Sequence, residues 1–271
     1  MAFRHKYALV AAGSVGKTLI ARLPAKSRQI GPVVGLSYRV ASRIANSLRA
    51  GRAVRGLADL DRNEIILFHA PPDQIRALLH LCFASPLNWQ GRTIIFCDCE
   101  PPSGALAQLH ALGVFTAMAR SFGVPAFAII QGGPHALPTA RRIVRDASLR
   151  PLEIASGGAD MFSAAVTLAT AALTPLIDRT AYLLRCAGLR DGDSIKVTEI
   201  LFEQTVRGYA RSGRQSWLWH IGAPSREQLE AELCALDSNL APLFQSLLLL
   251  GFETFDKHPE IASSLRHSRN C

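Results

Sequence analysis

The stretch "VAAGSVGKTL", residues 10 to 19, satisfies two phosphate-binding patterns at once. With Ala11 first and Gly16-Lys17-Thr18 last, it is a P-loop whose first glycine is alanine. With Ala11, Gly13 and Gly16 in register, it is A-x-G-x-x-G, a dinucleotide loop also one glycine short. Both patterns work for one reason. A strand ends, a tight glycine turn exposes backbone N–H groups, and a helix N-terminus turns its positive end toward an anion. The two differ in what must stand around them.

A P-loop needs its lysine on the outer phosphates, its hydroxyl on Mg²⁺ and a carboxylate at the end of another strand. Lys17, Thr18 and Asp98, the last of these in "TIIFCDCE" (93–100), supply those residue types. A P-loop NTPase therefore stays open as an alternative. A dinucleotide loop needs one glycine that lets the pyrophosphate approach and another that lets the helix pack on the sheet. Gly13 and Gly16 qualify, with Ser14 and Val15 between them facing the pyrophosphate. The second strand should then end on the residue that reads the ribose. Here it ends "GLSYRV" (35–40), with Ser37, Tyr38 and Arg39 and no carboxylate. A hydroxyl with a guanidinium suits a 2′-phosphate, so the implied cofactor is NADP(H).

Bulk properties bound the rest. A chain of 271 residues holds one large domain or two ordinary ones, and 49% hydrophobic residues with 19% charged describe a globular protein with a sizeable core. The net charge of +9 comes from scattered arginines, with no basic face interleaved with aromatics, so nucleic acid is not an expected partner. The six cysteines contain no C-x-x-C pair and suggest reduced thiols in the cytoplasm. The histidines, among them His69, His135 and His220, lack metal-ligand spacing, and no metal is expected. The first strand begins by residue 7, which leaves no room for a signal peptide. The uncharged run Met161–Ile177 is shorter than a bilayer span and is expected to be a buried helix, with no membrane partner.

Hydrophobic patterning divides the chain. Strands are predicted at Tyr7–Ala11, Pro32–Ser37, Glu64–Ala70, Arg92–Cys97, Val114–Ala117 and Ala126–Ile130. Helices are predicted between them at Val15–Leu23, Val40–Leu48, Pro72–Phe83 and Pro138–Ala147. Alternation of this kind, with strands apolar on both faces, gives a parallel sheet covered by helices on both sides. Past Gly157–Gly158 the pattern is helical, near 160–187, 193–211, 225–237 and 239–252, with Ser225 and Gln228 forming a capping box. The expected fold is an α/β Rossmann-like domain (1–156), an all-α domain (157–256) and a flexible tail (257–271).

The third strand runs into "LFHAPPDQI" (67–75), which resembles the strand-then-"PD-x-I" segment of the 6-phosphogluconate dehydrogenase-like superfamily. That superfamily includes ketopantoate reductase, pyrroline-5-carboxylate reductase and the β-hydroxyacid dehydrogenases. The likeness is strongest to a branch with a C-terminal helical domain of unknown function. It rests also on "GSVGKTLIARL" (13–23), "FSAAVTLATAALTPLIDRTAYLLRCAGL" (162–189) and "GAPSREQLEAELCAL" (222–236), in that order. The resemblance implies that the turn at Ala70, Pro71 and Pro72 packs beside an NADP(H) cofactor. It also implies that the helical domain makes a homodimer, and that a small carbonyl or imine is reduced in the cleft between domains.

The chain departs from the family where a proton donor is expected. In place of a His-Cys-Ser-Gly-like segment and a His-Pro it has "FCDCEPPSG" (96–104) and "AMARSFG" (117–123). No lysine occurs between Lys26 and Lys196, where the β-hydroxyacid dehydrogenases carry a catalytic one. Hydride transfer to a carbonyl or imine needs a positioned proton donor. The remaining candidates are Asp98, Glu100, Ser121, Asp160, Ser163, Thr167, Thr170 and Arg226. Of these, Asp160 also reads as a helix N-cap and Thr167 and Thr170 as packing residues. A non-catalytic relative that keeps the nucleotide shell is the second reading.

Overall fold

The computed structural model describes residues 6–24, 26–121, 127–155, 157–216, 225–255 and 262–263. The chain divides into two compact units, Met1–Ala165 and Val166–Cys271. In the first, strands β1 (Tyr7–Ala11), β2 (Ile30–Val34), β3 (Arg52–Ala53), β4 (Ile65–His69), β5 (Thr93–Cys97), β6 (Phe115–Ser121), β7 (Phe127–Gly132) and β8 (Arg150–Glu153) form one sheet. Their order is β3-β2-β1-β4-β5-β6-β7-β8. All pairs are parallel except β6–β7, where Met118 faces Gln131 and Arg120 faces Ile129. The helices of this unit are α1 (Leu19–Arg22), α2 (Lys26–Gln29), α3 (Tyr38–Leu48), α4 (Ile75–Phe83), α5 (Ser103–Ala111) and α6 (Leu137–Asp146), and α7 (Ala159–Thr167) begins in it and ends two residues into the second.

Alternation along each strand sends successive side chains to opposite faces. In β1, Tyr7, Leu9 and Ala11 join Leu19, Ile20, Ile44, Ile143 and Val144 on one face. Ala8 and Val10 join Phe68, Leu78, Phe96 and Leu109 on the other. This is the Rossmann-like α/β architecture, and its topology reverses at β1 and β4, where ligands bind outside the carboxyl ends of the strands. At the opposite end, Arg92 is fixed among backbone carbonyls: its guanidinium donates to Leu60 O, Asn63 O and Asp61 O.

The second unit is helical: α8 (Leu173–Cys186), α9 (Asp191–Ser212), α10 (Arg226–Ala235) and α11 (Leu240–Phe255). A π-helical turn at Leu168–Ala172 precedes α8. Pro175, three residues past it, has no N–H to return to the preceding turn, and the ladder widens there. Ser225 Oγ accepts from Gln228 N at 3.1 Å, one half of the capping box, while the Gln228 side chain turns to Glu232 instead.

Several expectations need correction. The helix predicted over Val15–Leu23 exists only as Leu19–Arg22, because Val15 O takes both the N–H and the hydroxyl of Thr18 in a tight turn. The second strand stops at Val34, and Ser37 caps α3 instead of extending the strand. The short strands β3 and β8 carried no pattern long enough to see. Asp160 lies inside the first turn of α7, not at its cap. The uncharged helix expected to be buried is not: Ala159–Cys186 is long and apolar enough to cross a membrane by length and composition, and no part of its most apolar window is buried. Cys82, Cys97, Cys99 and Cys186 are free thiols, but Cys234 is disulfide-bonded, against the expectation of six reduced cysteines. The tail predicted at 257–271 lies almost wholly outside the described residues.

Candidate functional site

At the end of β1 the chain turns through Gly13, whose φ is +71°. A Cβ there would sit 2.9 Å from Pro71 Cδ, so both conformation and space require glycine. Gly16 is different: its φ is ordinary and a Cβ would meet nothing within 4 Å. Nothing among the described residues holds that position to glycine. Among the described residues, the N–H groups of Gly13 to Lys17 find no protein acceptor, while Ala12 donates to His69 O and Thr18 to Val15 O. Five successive N–H groups without a protein acceptor leave this loop's donors to a ligand or to solvent. The helix terminus that the motif promised contributes nothing: α1 has four residues, and its first N–H, Leu19, donates to Asp98 Oδ2 at 2.5 Å. Ala11, fully buried as the last residue of β1, fits its place without strain.

Beside the loop lies a pocket of about 370 Å³. Gly13, Ser14 and Val15 form one side, Val40, Arg43 and Ser47 of α3 another, and Gln74 a third. Of the residues singled out in the sequence, Gly13, Ser14 and Val15 line it, and Pro71 packs on Gly13. Ser37 Oγ accepts from Val40 N at 3.3 Å. Tyr38 is exposed, with the Arg55 guanidinium 6.0 Å from its ring centre. Arg39 is exposed on the first turn of α3, Ala70 and Pro71 back the glycine turn, and Pro72 is exposed. Arg43, Ser47 and Gln74 were missed. Arg43 stands four residues after Arg39 on one helix, a spacing that puts both on neighbouring surface.

Asp98 is engaged on every side. It adopts φ +52°, and its Oδ1 accepts from Ser121 N at 2.6 Å and Ser121 Oγ at 2.8 Å, while Oδ2 takes Leu19 N. Thr18 is 5% exposed and its hydroxyl donates to Val15 O at 2.7 Å. Lys17 points from the exposed loop. Of the P-loop residues, Thr18 and Asp98 lie close in the fold, and the hydroxyl of one and both oxygens of the other already hold bonds within the protein.

The other candidates disperse. Glu100 pairs with Arg120 at 3.7 Å beside a small pocket that Phe162 also lines. Ser163, Thr167 and Thr170 are exposed, and Thr170 Oγ1 donates to Val166 O, so the two threonines are not packing residues. His69 is buried, its Nδ1 2.8 Å from Cys97 O, and His135 stacks with Phe115. His220 and the Arg226 side chain lie outside the described residues. Burial pushes the Cys82 and Cys99 thiols up to about 12 and Cys97 well above its usual value. They are neutral thiols, unsuited to nucleophilic attack or metal binding. Among the described residues no cluster of three His, Cys, Asp or Glu could hold a metal.

No family model matches the sequence, and no curated protein matches it. Solved structures do. A Bacteroides fragilis protein, provisionally assigned as an NADP oxidoreductase, aligns with a TM-score of 0.70 at 13% identity, over 93% of this chain and 99% of its own. An imine reductase from Pseudomonas sp. aligns at 0.58 and 13%, over 96% and 91%. A reductive aminase from Aspergillus terreus, solved with NADPH, aligns at 0.57 and 15%, over 96% and 90%. At these identities the likeness shows the fold: a Rossmann-like sheet domain followed by a helical region.

Proposed function

We propose that this chain is an NADP(H)-binding, oxidoreductase-like protein that reduces a small carbonyl or imine. The observation that carries the reading is the loop of five unpartnered N–H groups at the carboxyl end of β1, beside a pocket lined by Arg43, with Arg39 one helical turn before it and no carboxylate after β2. A pyrophosphate fits the loop, Gly16 leaves open space for it, and the two guanidiniums fit a 2′-phosphate. When bound, the reduced cofactor supplies the hydride. The residues named here would bind and position it: Gly13 to Lys17 would hold phosphate oxygens, Pro71 fixes the glycine turn, and Asp98 ties α1 to the end of β6; the proton that the reduction also takes is assigned to no residue. Structural likeness to proteins described as NADP oxidoreductases, imine reductases and a reductive aminase supports this reading. Kinship with ketopantoate reductase and pyrroline-5-carboxylate reductase belongs to the same proposal.

A second reading, a nucleotide-binding sensor without catalysis, is favoured by one observation. Asp98 and Ser121, two of the donor candidates nearest the strand ends, are bonded to each other. We further propose that the helical region forms a homodimer, supported by the exposure of Leu168, Ile195, Val206 and Leu250. The free thiols of Cys82, Cys97, Cys99 and Cys186 support a second proposal, that the protein works in the cytoplasm.

Thermal shift and fluorescence titration with NADPH, NADH and Mg·ATP test the reading. A ligand at 100 times its Kd adds roughly 2.7 kcal/mol to native stability. NADPH is expected to stabilise most, and Arg39→Ala to remove its advantage over NADH. Stabilisation by Mg·ATP alone would return the P-loop reading, and response to none would end the nucleotide proposal.

A further inference from the structure

At a glycine turn, an anion's charge is ordinarily met by the positive end of the helix that follows. The turn after β1 lacks that device. Helix α1 has four residues, and its first N–H, Leu19, is already spent on Asp98 Oδ2 at 2.5 Å. Asp98 accepts three bonds in all, the others from Ser121 N and Ser121 Oγ, so it brings a carboxylate to the start of that helix. An anion held on the N–H groups of Gly13 to Lys17 is therefore within two residues of the amide that carries a like charge. The loop itself holds the remedy. Lys17 is exposed, its N–H is the last of the five, and its Nζ has no acceptor among the described residues. The next lysine along the chain differs, because Lys26 Nζ donates to Ala21 O. No carboxylate lines the pocket beside the loop.

We propose that the Lys17 ammonium is the counter-charge for a pyrophosphate held on this loop, in place of the helix terminus that the fold withholds. Its flexible four-carbon stem lets the ammonium reach an oxygen bound on the neighbouring N–H groups, and its charge offsets that of Asp98. The ligand's identity as a cofactor rests on the dinucleotide reading above; the need for a cation rests on the loop and on Asp98. In that reading Arg39 and Arg43 serve the 2′-phosphate, which NADPH carries and NADH lacks. Lys17 serves the two phosphates that both dinucleotides share. It sets how tightly either is held and leaves the choice between them to the arginines.

The test uses the full chain with Lys17→Met, which keeps most of the stem and removes the charge, and Lys17→Arg, which keeps the charge. Calorimetric titration without Mg²⁺ compares NADPH, NADH, inorganic pyrophosphate and adenosine 2′-monophosphate. Lys17→Met is expected to weaken the first three by a common factor, roughly tenfold. It should spare adenosine 2′-monophosphate, which has no pyrophosphate, and leave the Tm of the free protein unchanged. Lys17→Arg should recover most of the lost affinity. The gap between wild type and Lys17→Met should narrow at high salt, because an exposed ion pair is screened. Unchanged NADPH affinity in Lys17→Met would overturn the proposal while leaving the dinucleotide reading intact. Equal weakening of adenosine 2′-monophosphate would overturn it too, by showing a diffuse field in place of a contact. Failure of the dinucleotide reading shows differently: the wild-type chain would bind pyrophosphate through Lys17 and ignore NADPH and NADH. Binding of Mg·ATP alone, weakened in Lys17→Met, would hand the lysine to the P-loop reading and overturn its assignment here, and a wild-type chain that binds no pyrophosphate in any form would end both.

Discussion

The two units dispose their apolar residues in opposite ways. In the sheet unit every residue of β1 is 0% exposed, and both faces of the sheet are sealed by contiguous clusters. In the helical unit Ile195 is 61% exposed, Val206 63% and Leu250 60%, and its buried cluster is Leu229, Phe252 and Ala262 with a few partly buried neighbours. The first unit closes on itself. The second carries exposed apolar side chains, the feature from which a homodimer is proposed above.

The largest effect separates the units directly. Phe68, fully buried and 5.1 Å from the Phe96 ring, is a core position whose truncation leaves a cavity. Phe68→Ala is expected to cost about 3–5 kcal/mol in urea unfolding. A loss of about 1 kcal/mol or less would mean that the sheet core is no better packed than the helices, and the contrast would fail.

Next comes Asp98→Ala. It strands three donors around one carboxylate, Leu19 N, Ser121 N and Ser121 Oγ, at about 1.5–3 kcal/mol. Hydrogen exchange at Leu19 and Ser121 should accelerate together, because one side chain holds both. Independent exchange at the two amides would show that α1 and β6 are not joined through Asp98.

Gly13→Ala follows. It places a Cβ at positive φ and against Pro71, for about 1–3 kcal/mol. Gly16→Ala, with open space and ordinary φ, should change stability by about 0.5 kcal/mol or less while lowering NADPH affinity. Equal stability losses at the two glycines would remove the argument that ligand room, not backbone strain, explains Gly16.

The same contrast governs what could be read from the sequence. The sheet unit was legible because alternating and unbroken apolar runs mark strands buried on both faces: β1, β4 and β5 fall within a residue or two of their predicted bounds. The loop was legible as a glycine turn but not as a helix start. The helix starts late because Thr18 turns back onto Val15 O, and Asp98, 79 residues away, then caps its first N–H at Leu19; no local pattern announces that long-range cap. The antiparallel pairing of β6 with β7 was invisible too, because an apolar run marks a strand without saying which way it points. The long helix misled most. Its residues are as apolar as a core helix, and composition alone cannot distinguish burial in one's own fold from exposure.

A pH effect sharpens the comparison further and is absent at neutral pH. Cys82 and Cys99 belong to the sheet core, where burial raises their thiols from 9.0 to about 12. The folded state therefore keeps protons that the unfolded chain releases, and stability is lost as pH rises from about 9 toward 12. At pH 8 a thiol reagent should label exposed Cys186 in the native protein and spare Cys82, Cys97 and Cys99. Labelling of the buried three at the rate of Cys186 would show that the sheet unit opens readily.

The smallest expected change in stability carries the most information about the second unit. Val206→Ser and Leu250→Ser alter exposed side chains and should move the unfolding free energy of an isolated chain by about 0.5 kcal/mol or less. If a second copy covers these helices, the same substitutions remove apolar area from an interface. Association then weakens while the isolated chain is untouched, and apparent stability becomes dependent on protein concentration in the wild type alone. Sedimentation equilibrium across a hundredfold concentration range reads both effects. A wild-type chain that stays monomeric throughout would mean that the exposed apolar helices are covered by something other than a copy of themselves.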